Sequence, residues 1–147
     1  MNTITRLPSH TLGYLGLIPF ALSALAISLE IRIFNTSALL IFVSYSAIIL
    51  SFLSGVMWGN SLNHKENSTS RFALLLSNFF ALLAWFSLLH STDHYTWALV
   101  ALMLGFICIR IAEVKFNSVH QDEYYQQLRN RLTSCVCGLH AVVFAIT

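Results

Sequence analysis

Charge is what this sequence most conspicuously lacks. Eight bases and six acids in 147 residues make it 10% charged, where soluble domains carry about 25%. So few charges cannot coat a water-soluble protein of this size, which excludes a cytosolic globular enzyme and a solvated disordered tail. The net charge of +2 is too small for phosphate-backbone binding to dominate, so no nucleic-acid partner is expected. There are only two prolines and three cysteines, and no internal repeat or low-complexity tract is evident. Signature chemistry is missing as well. The chain has no phosphate-cradling Gly-rich loop, no H-E-x-x-H, no G-x-S-x-G and no pair of carboxylates within its apolar runs.

What is present is apolar length. The chain is 56% hydrophobic with a mean hydropathy of +0.70. Largely apolar runs occupy Thr11–Leu29, Ala38–Leu62, Phe72–His90, Tyr95–Ala112 and Leu132–Thr147. A segment crossing lipid must satisfy its own backbone, so helices are expected. Stretches such as Phe72–Leu76 do not alternate as a membrane barrel strand would. The expectation is one integral domain over residues 1–147, an all-α polytopic bundle of about five spanning helices in a lipid bilayer.

Local signals support these runs. Asn35, Thr36 and Ser37 offer N-caps for the second helix, and Asn67, Ser68, Thr69 and Ser70 for the third. Ser91, Thr92 and Asp93 suit a tight hairpin between the third and fourth. Pro19 lies inside the first run and predicts a kink. The last run rises only about 24 Å against about 30 Å of hydrocarbon. However, Ser118 with Gln121 forms a capping box that starts this helix earlier, placing Tyr125, Leu128 and Leu132 on one face. Arg129 and Arg131 are then expected to snorkel at the boundary.

With five spans, Arg6, Lys65, Arg71, Arg110, Lys115, Arg129 and Arg131 fall toward one side and Arg32 alone toward the other. The positive-inside rule puts the N-terminus in the cytoplasm and the C-terminus outside. Ala24-Leu25-Ala26 resembles a signal cleavage site, but the apolar run continues through Leu29.

The segment Tyr45-Ser46-Ala47-Ile48-Ile49-Leu50-Ser51-Phe52-Leu53-Ser54-Gly55-Val56-Met57-Trp58-Gly59 is more specific than hydropathy. It resembles the signature of domain-of-unknown-function family 3429, which includes transmembrane protein 69 of animals. Gly16-Leu17-Ile18-Pro19-Phe20 resembles that family's first helix, and Tyr125, Leu128-Arg129 and Leu132-Thr133 its closing pattern. Met57 stands where the family pattern has a histidine or arginine. Asp122-Glu123-Tyr124 replaces a proline and a tryptophan. The resemblance implies a small bacterial inner-membrane protein without an assigned reaction. The segment Met1–His10 is brief for the transit peptide of a mitochondrial relative.

Several side chains are candidates for a site. Ser51, Gly55 and Gly59 recur every four residues, a small-residue face suited to close helix packing, within the monomer or in a dimer. Arg110 and Glu113 can pair on one face of the fourth helix, as an interfacial ion pair or as a polar lining for a headgroup or substrate anion. His140 lies inside the last span, where a charged imidazole would meet a desolvation cost. A structural hydrogen bond is the plainer reading and a ligand or proton role the sharper one. His90, Asp93 and His94 gather in the outer hairpin but bracket a turn, so no metal site is expected there. His10, His64 and His120 have no ligand-like spacing. Cys135 and Cys137 lie about 200° apart on a helix and cannot readily share an ion. With Cys108 they read as small buried thiols. Ser77, Asn78 and Tyr45 are expected to bond to neighbouring helices. No cofactor is expected.

Three functions stay open. The leading one is a non-enzymatic accessory or assembly partner of a larger membrane complex. The second is a small oligomeric transporter or channel, and the third a membrane-embedded lipid- or redox-linked enzyme. A closed core with an exposed small-residue groove favours the first. A polar-lined continuous cavity favours the second, and a pocket joining His90 to His140 the third.

Overall fold

Runs of Leu, Ile, Ala and Phe without internal turn residues form helices, and the computed structural model shows five long ones among the residues it describes. It describes residues 11–32, 35–62, 68–117 and 123–147, with the side chains of 68–70 and 117 excepted. We label them α1 (Ile18–Ser28), α2 (Ala38–Leu62), α3 (Ser68–Leu89), α4 (Tyr95–Asn117) and α5 (Glu123–Ile146). There is no β-strand among the described residues. The protein is an all-α membrane bundle. Among the described residues four segments are long and apolar enough to cross a bilayer: Thr11–Ser28, Ala38–Leu62, Arg71–Leu89 and Tyr95–Phe116. The polar first half of α5 keeps that helix out of the set. Nevertheless, α5 runs the full height of α4. Arg129 meets Glu113 at one end, and Tyr95 donates to the Thr147 carbonyl at the other (3.2 Å).

Pro19 has the effect expected of it. A short helical stretch over residues 11–15 ends in a turn at Gly16–Leu17, and α1 restarts with the proline in its first turn. Proline has no N–H to donate to the preceding turn, and its ring crowds the carbonyl four residues back. At the other end of α1, Glu30 adopts a left-handed conformation (φ 53°). Ile31 N–H bonds to Ala26 O and Glu30 N–H to Ile27 O, closing the helix in a Schellman arrangement. Ser37 caps α2, accepting from Leu40 N–H at 3.1 Å. The α3–α4 hairpin is closed through its backbone and the Ser91 hydroxyl, with no bond accepted by the Asp93 carboxylate among the described residues. The capping box at Ser118 and the cap residues of α3 lie outside the described side chains.

Helices α1, α2, α4 and α5 form a closed ring of neighbours, and α3 packs outside it against α2 and α4. The α2–α3 contact is the most extensive, and its sequence basis is a heptad. Val43, Ala47, Leu50, Ser54, Met57 and Ser61 are buried along α2. Ala73, Ser77, Phe80, Ala84 and Ser87 are buried along α3, and Ser91 continues the line into the hairpin turn. Steps of four and three keep one seam facing the partner, and the small residues let the backbones approach. The seam serines bond carbonyls of their own helix, such as Ser61 to Met57 O at 2.8 Å and Ser87 to Leu83 O at 2.7 Å. The seam side chains are therefore compact and satisfied within their own helices. Ser77 and Asn78 likewise bond Leu74 O in their own helix, not a neighbour as expected.

Packing of the small-residue face within the chain, one of its two readings, is not seen, and two of the thiols differ from expectation. Gly55 is exposed and Gly59 half-exposed, and a Cβ at either position would meet nothing within 4 Å. The seam passes through Ser54 and Met57 instead, which turns Gly55 away from the bundle. Cys108 and Cys135 are exposed rather than buried, and all three thiols are free.

Candidate functional site

The centre of the ring is aromatic, and each of its four helices contributes one ring. Phe20 of α1, Phe42 of α2, Phe106 of α4 and His140 of α5 are almost completely buried. The His140 imidazole lies 4.8 Å from Phe42, 5.6 Å from Phe106 and 6.0 Å from Phe20, centroid to centroid. Its Nδ1–H donates to Val136 O at 2.8 Å, because a carbonyl can only accept. Nε2 is then a bare lone pair, buried without a hydrogen-bond partner. Among the described residues no three metal-ligating side chains gather anywhere. His140 also borders a small apolar hollow with Met103 and Phe144.

Tyr45 joins this centre through its ring, 4.8 Å from Phe20, and through its hydroxyl. The break before Pro19 frees the Gly16 carbonyl, and Tyr45 OH donates to it at 2.9 Å. A buried carbonyl released from a helix needs such a partner. The kink and the start of the Tyr45–Gly59 segment are therefore one device.

At the basic end, α4 and α5 build a second constellation. Glu113 is buried and accepts from Arg129 Nη2 at 2.7 and 2.9 Å and from Arg129 Nε at 3.2 Å. Arg110, three residues before Glu113, lies 3.5 Å from the same carboxylate. It donates from Nε to Asn130 Oδ1 at 2.7 Å and from Nη2 to Gln126 O at 3.2 Å. Arg110 and Glu113 thus pair, but the stronger partner of Glu113 is Arg129, reached across helices. Arg129 is buried and does not snorkel, whereas Arg131 is exposed. Sequence reasoning placed Arg129 at the boundary and missed this role. The signal available was its seven-residue spacing with Val136 and Val143, which marks the buried face of α5. Two guanidiniums around one carboxylate leave the cluster with net positive charge.

The other candidates stay apart. His90 stacks on Phe86 with centroids 4.0 Å apart, and its Nδ1–H donates to Phe86 O. His90 and His94 line a shallow apolar groove with Trp97, separate from the hollow beside His140. His90 and His140 thus line different hollows. Tyr125, Leu128 and Leu132 share a face as expected, and together line a cleft with Gly16 and Phe20. His10, His64, His120, Arg6 and Lys65 lie outside the described residues.

The parts that resemble a known family, namely the kinked start of the first span, the Tyr45 segment and the Tyr125–Thr133 face, are thus in contact or line one space. The profile of a family described as protein of unknown function (DUF3429) matches residues 5–145. The chain belongs to this family. Transmembrane protein 69 of Xenopus tropicalis is 38% identical over 101 residues. That match takes in 67% of this chain and only 38% of the relative. No solved structure matches. Family membership and four apolar helices make this a multi-pass membrane protein.

Proposed function

We propose that the protein is a non-enzymatic component of the bacterial inner membrane, acting as an accessory or assembly partner of a larger membrane complex. All five helices cross the bilayer in this reading, with the N-terminus in the cytoplasm. Of the six described bases, Arg71, Arg110, Lys115, Arg129 and Arg131 belong to the end of the bundle where Phe72 of α3 meets Phe116 of α4, and Arg32 follows the far end of α1. That asymmetry supports the orientation.

The observation that carries the function is the Ser51, Gly55 and Gly59 strip. Its two glycines look outward, with open space where a Cβ would stand at each. Inside the ring, the same molecule is filled by Phe20, Phe42, Phe106 and His140. Bare backbone on an outer helix face allows close approach of another membrane helix, where dispersion contacts accumulate. A filled centre leaves a solute no path through a single copy, so recognition at the outer face is the better-supported activity.

Site-specific photocrosslinking in native membranes tests this. A photoreactive residue at position 55 or 59 is expected to give a discrete protein adduct of defined mass. One at the equally outward Leu75, 71% exposed, should give none. Adducts to lipid alone at all three positions would refute the reading. An adduct at twice the chain mass would replace it with self-association.

A further inference from the structure

Between the broken start of the first span, α2 and α5, the ring opens into a cleft of about 400 Å³. Leu12, Leu17, Phe52 and Leu53 supply apolar walls, and Phe20 and Phe106 belong to its inner lining. Polar side chains come only from α5: Tyr125, Arg129 and, one turn on, Thr133. Along α5 the lining extends from Tyr125 to Val136, about 16 Å at the rise of a helix. That is about half of a hydrocarbon core of about 30 Å. The cleft is one leaflet deep.

Its charged wall is not neutral. Arg129 uses Nε and Nη2 on Glu113 and also belongs to the lining of the cleft. Arg110 does not line the cleft; its Nη1 is buried 3.5 Å from the same carboxylate without a hydrogen bond. Glu113 alone cannot neutralise two guanidiniums, so an excess positive charge sits where the apolar slot reaches the basic end. A buried guanidinium retains affinity for a further anionic oxygen. An apolar slot of leaflet length leading from it suits a phosphate carried on an acyl chain. A free anion would use only the charge, and a zwitterionic headgroup brings its own cation.

We propose that this cleft binds one anionic phospholipid, with an acyl chain along Leu17 and Leu53 and the headgroup phosphate at Arg129. The site is independent of the Gly55 face, so either can fail without the other. Thermal unfolding of the purified full chain in mild detergent is the test, with phosphatidylglycerol, phosphatidylcholine or inorganic phosphate added at equal concentration. Phosphatidylglycerol is expected to raise the midpoint by several degrees, because a ligand that binds only the folded state stabilises it. Phosphatidylcholine and phosphate should leave it unchanged. Thr133→Phe fills the cleft without touching the ion cluster and should abolish the phosphatidylglycerol shift. Leu53→Trp is the second filling variant should the first not fold. Equal protection by phosphatidylcholine, protection by phosphate alone, no lipid effect on the native chain, or an undiminished shift in the filled variants would each overturn the proposal.

Discussion

Replacing Glu113 by Gln removes the one anion shared by two buried guanidiniums. In the native protein its carboxylate takes three close hydrogen bonds from Arg129 and a longer contact from Arg110, with the side chains 5–10% exposed. Glutamine keeps the shape but leaves two like charges facing each other in a poorly solvated place. Removing one partner of a buried ion pair costs about 3–5 kcal/mol. Because Arg110 keeps its bonds to Asn130 and Gln126, the lower part of that range is expected, about 3 kcal/mol. Reversible unfolding in mixed micelles, followed by helicity, measures it. Arg129→Met combined with Glu113→Gln should cost less than the two single changes added together, since both break the same contact. A loss below about 1 kcal/mol for Glu113→Gln would mean that the cluster is water-solvated and the packing of α5 on α4 does not depend on it.

Other substitutions probe the remaining contacts by the same unfolding measurement. Tyr45→Phe strands the Gly16 carbonyl and should cost about 1–3 kcal/mol; an unchanged stability would show that the kink does not need that hydroxyl. His140→Leu removes a lone pair with no donor while keeping an apolar body of similar bulk. It should be neutral or mildly stabilising, and wild-type stability with complete loss of a mapped phenotype would instead assign Nε2 a functional role. Gly105→Leu should destabilise by about 1–3 kcal/mol, since even a Cβ there would come within 2.6 Å of the buried Leu50 side chain. Gly55→Leu, set in open space, should change monomer stability by less than about 0.5 kcal/mol. A large loss at Gly55 would place a helix against that face in detergent.

Much of the fold was legible because lipid leaves the backbone few choices. Four of the five apolar runs coincide with candidate spans, and Pro19 and Ser37 act locally as their chemistry dictates. Arg110 and Glu113 were legible as a pair because three residues on a helix share a face. What escaped was rotation about the helix axis. In lipid an outward face is as apolar as an inward one, so periodicity cannot tell Ser54 from Gly55. Small residues mark close approach wherever it occurs, and the α2–α3 seam used Ala47, Ser54 and Ser61 instead of the more regular glycines. Arg129 was misplaced for a related reason. A lone arginine near a helix end reads as snorkelling until a carboxylate from another helix is known to meet it. Only the pairing of α4 with α5 supplies Glu113. The aromatic centre was equally hidden, since Phe20, Phe42, Phe106 and His140 are far apart in the chain and carry no shared motif.

The central claim is a five-helix membrane bundle whose basic end faces the cytoplasm and whose last helix crosses alongside α4. Single cysteines placed in a chain with Cys108, Cys135 and Cys137 replaced, then probed on intact cells with a membrane-impermeant maleimide, test it directly. Asp93→Cys and Thr147→Cys are expected to label from outside, and Lys115→Cys and Arg131→Cys only after the membrane is opened. Labelling of position 147 together with 115 and 131, and not with 93, would contradict the account and leave α5 on one side of the bilayer.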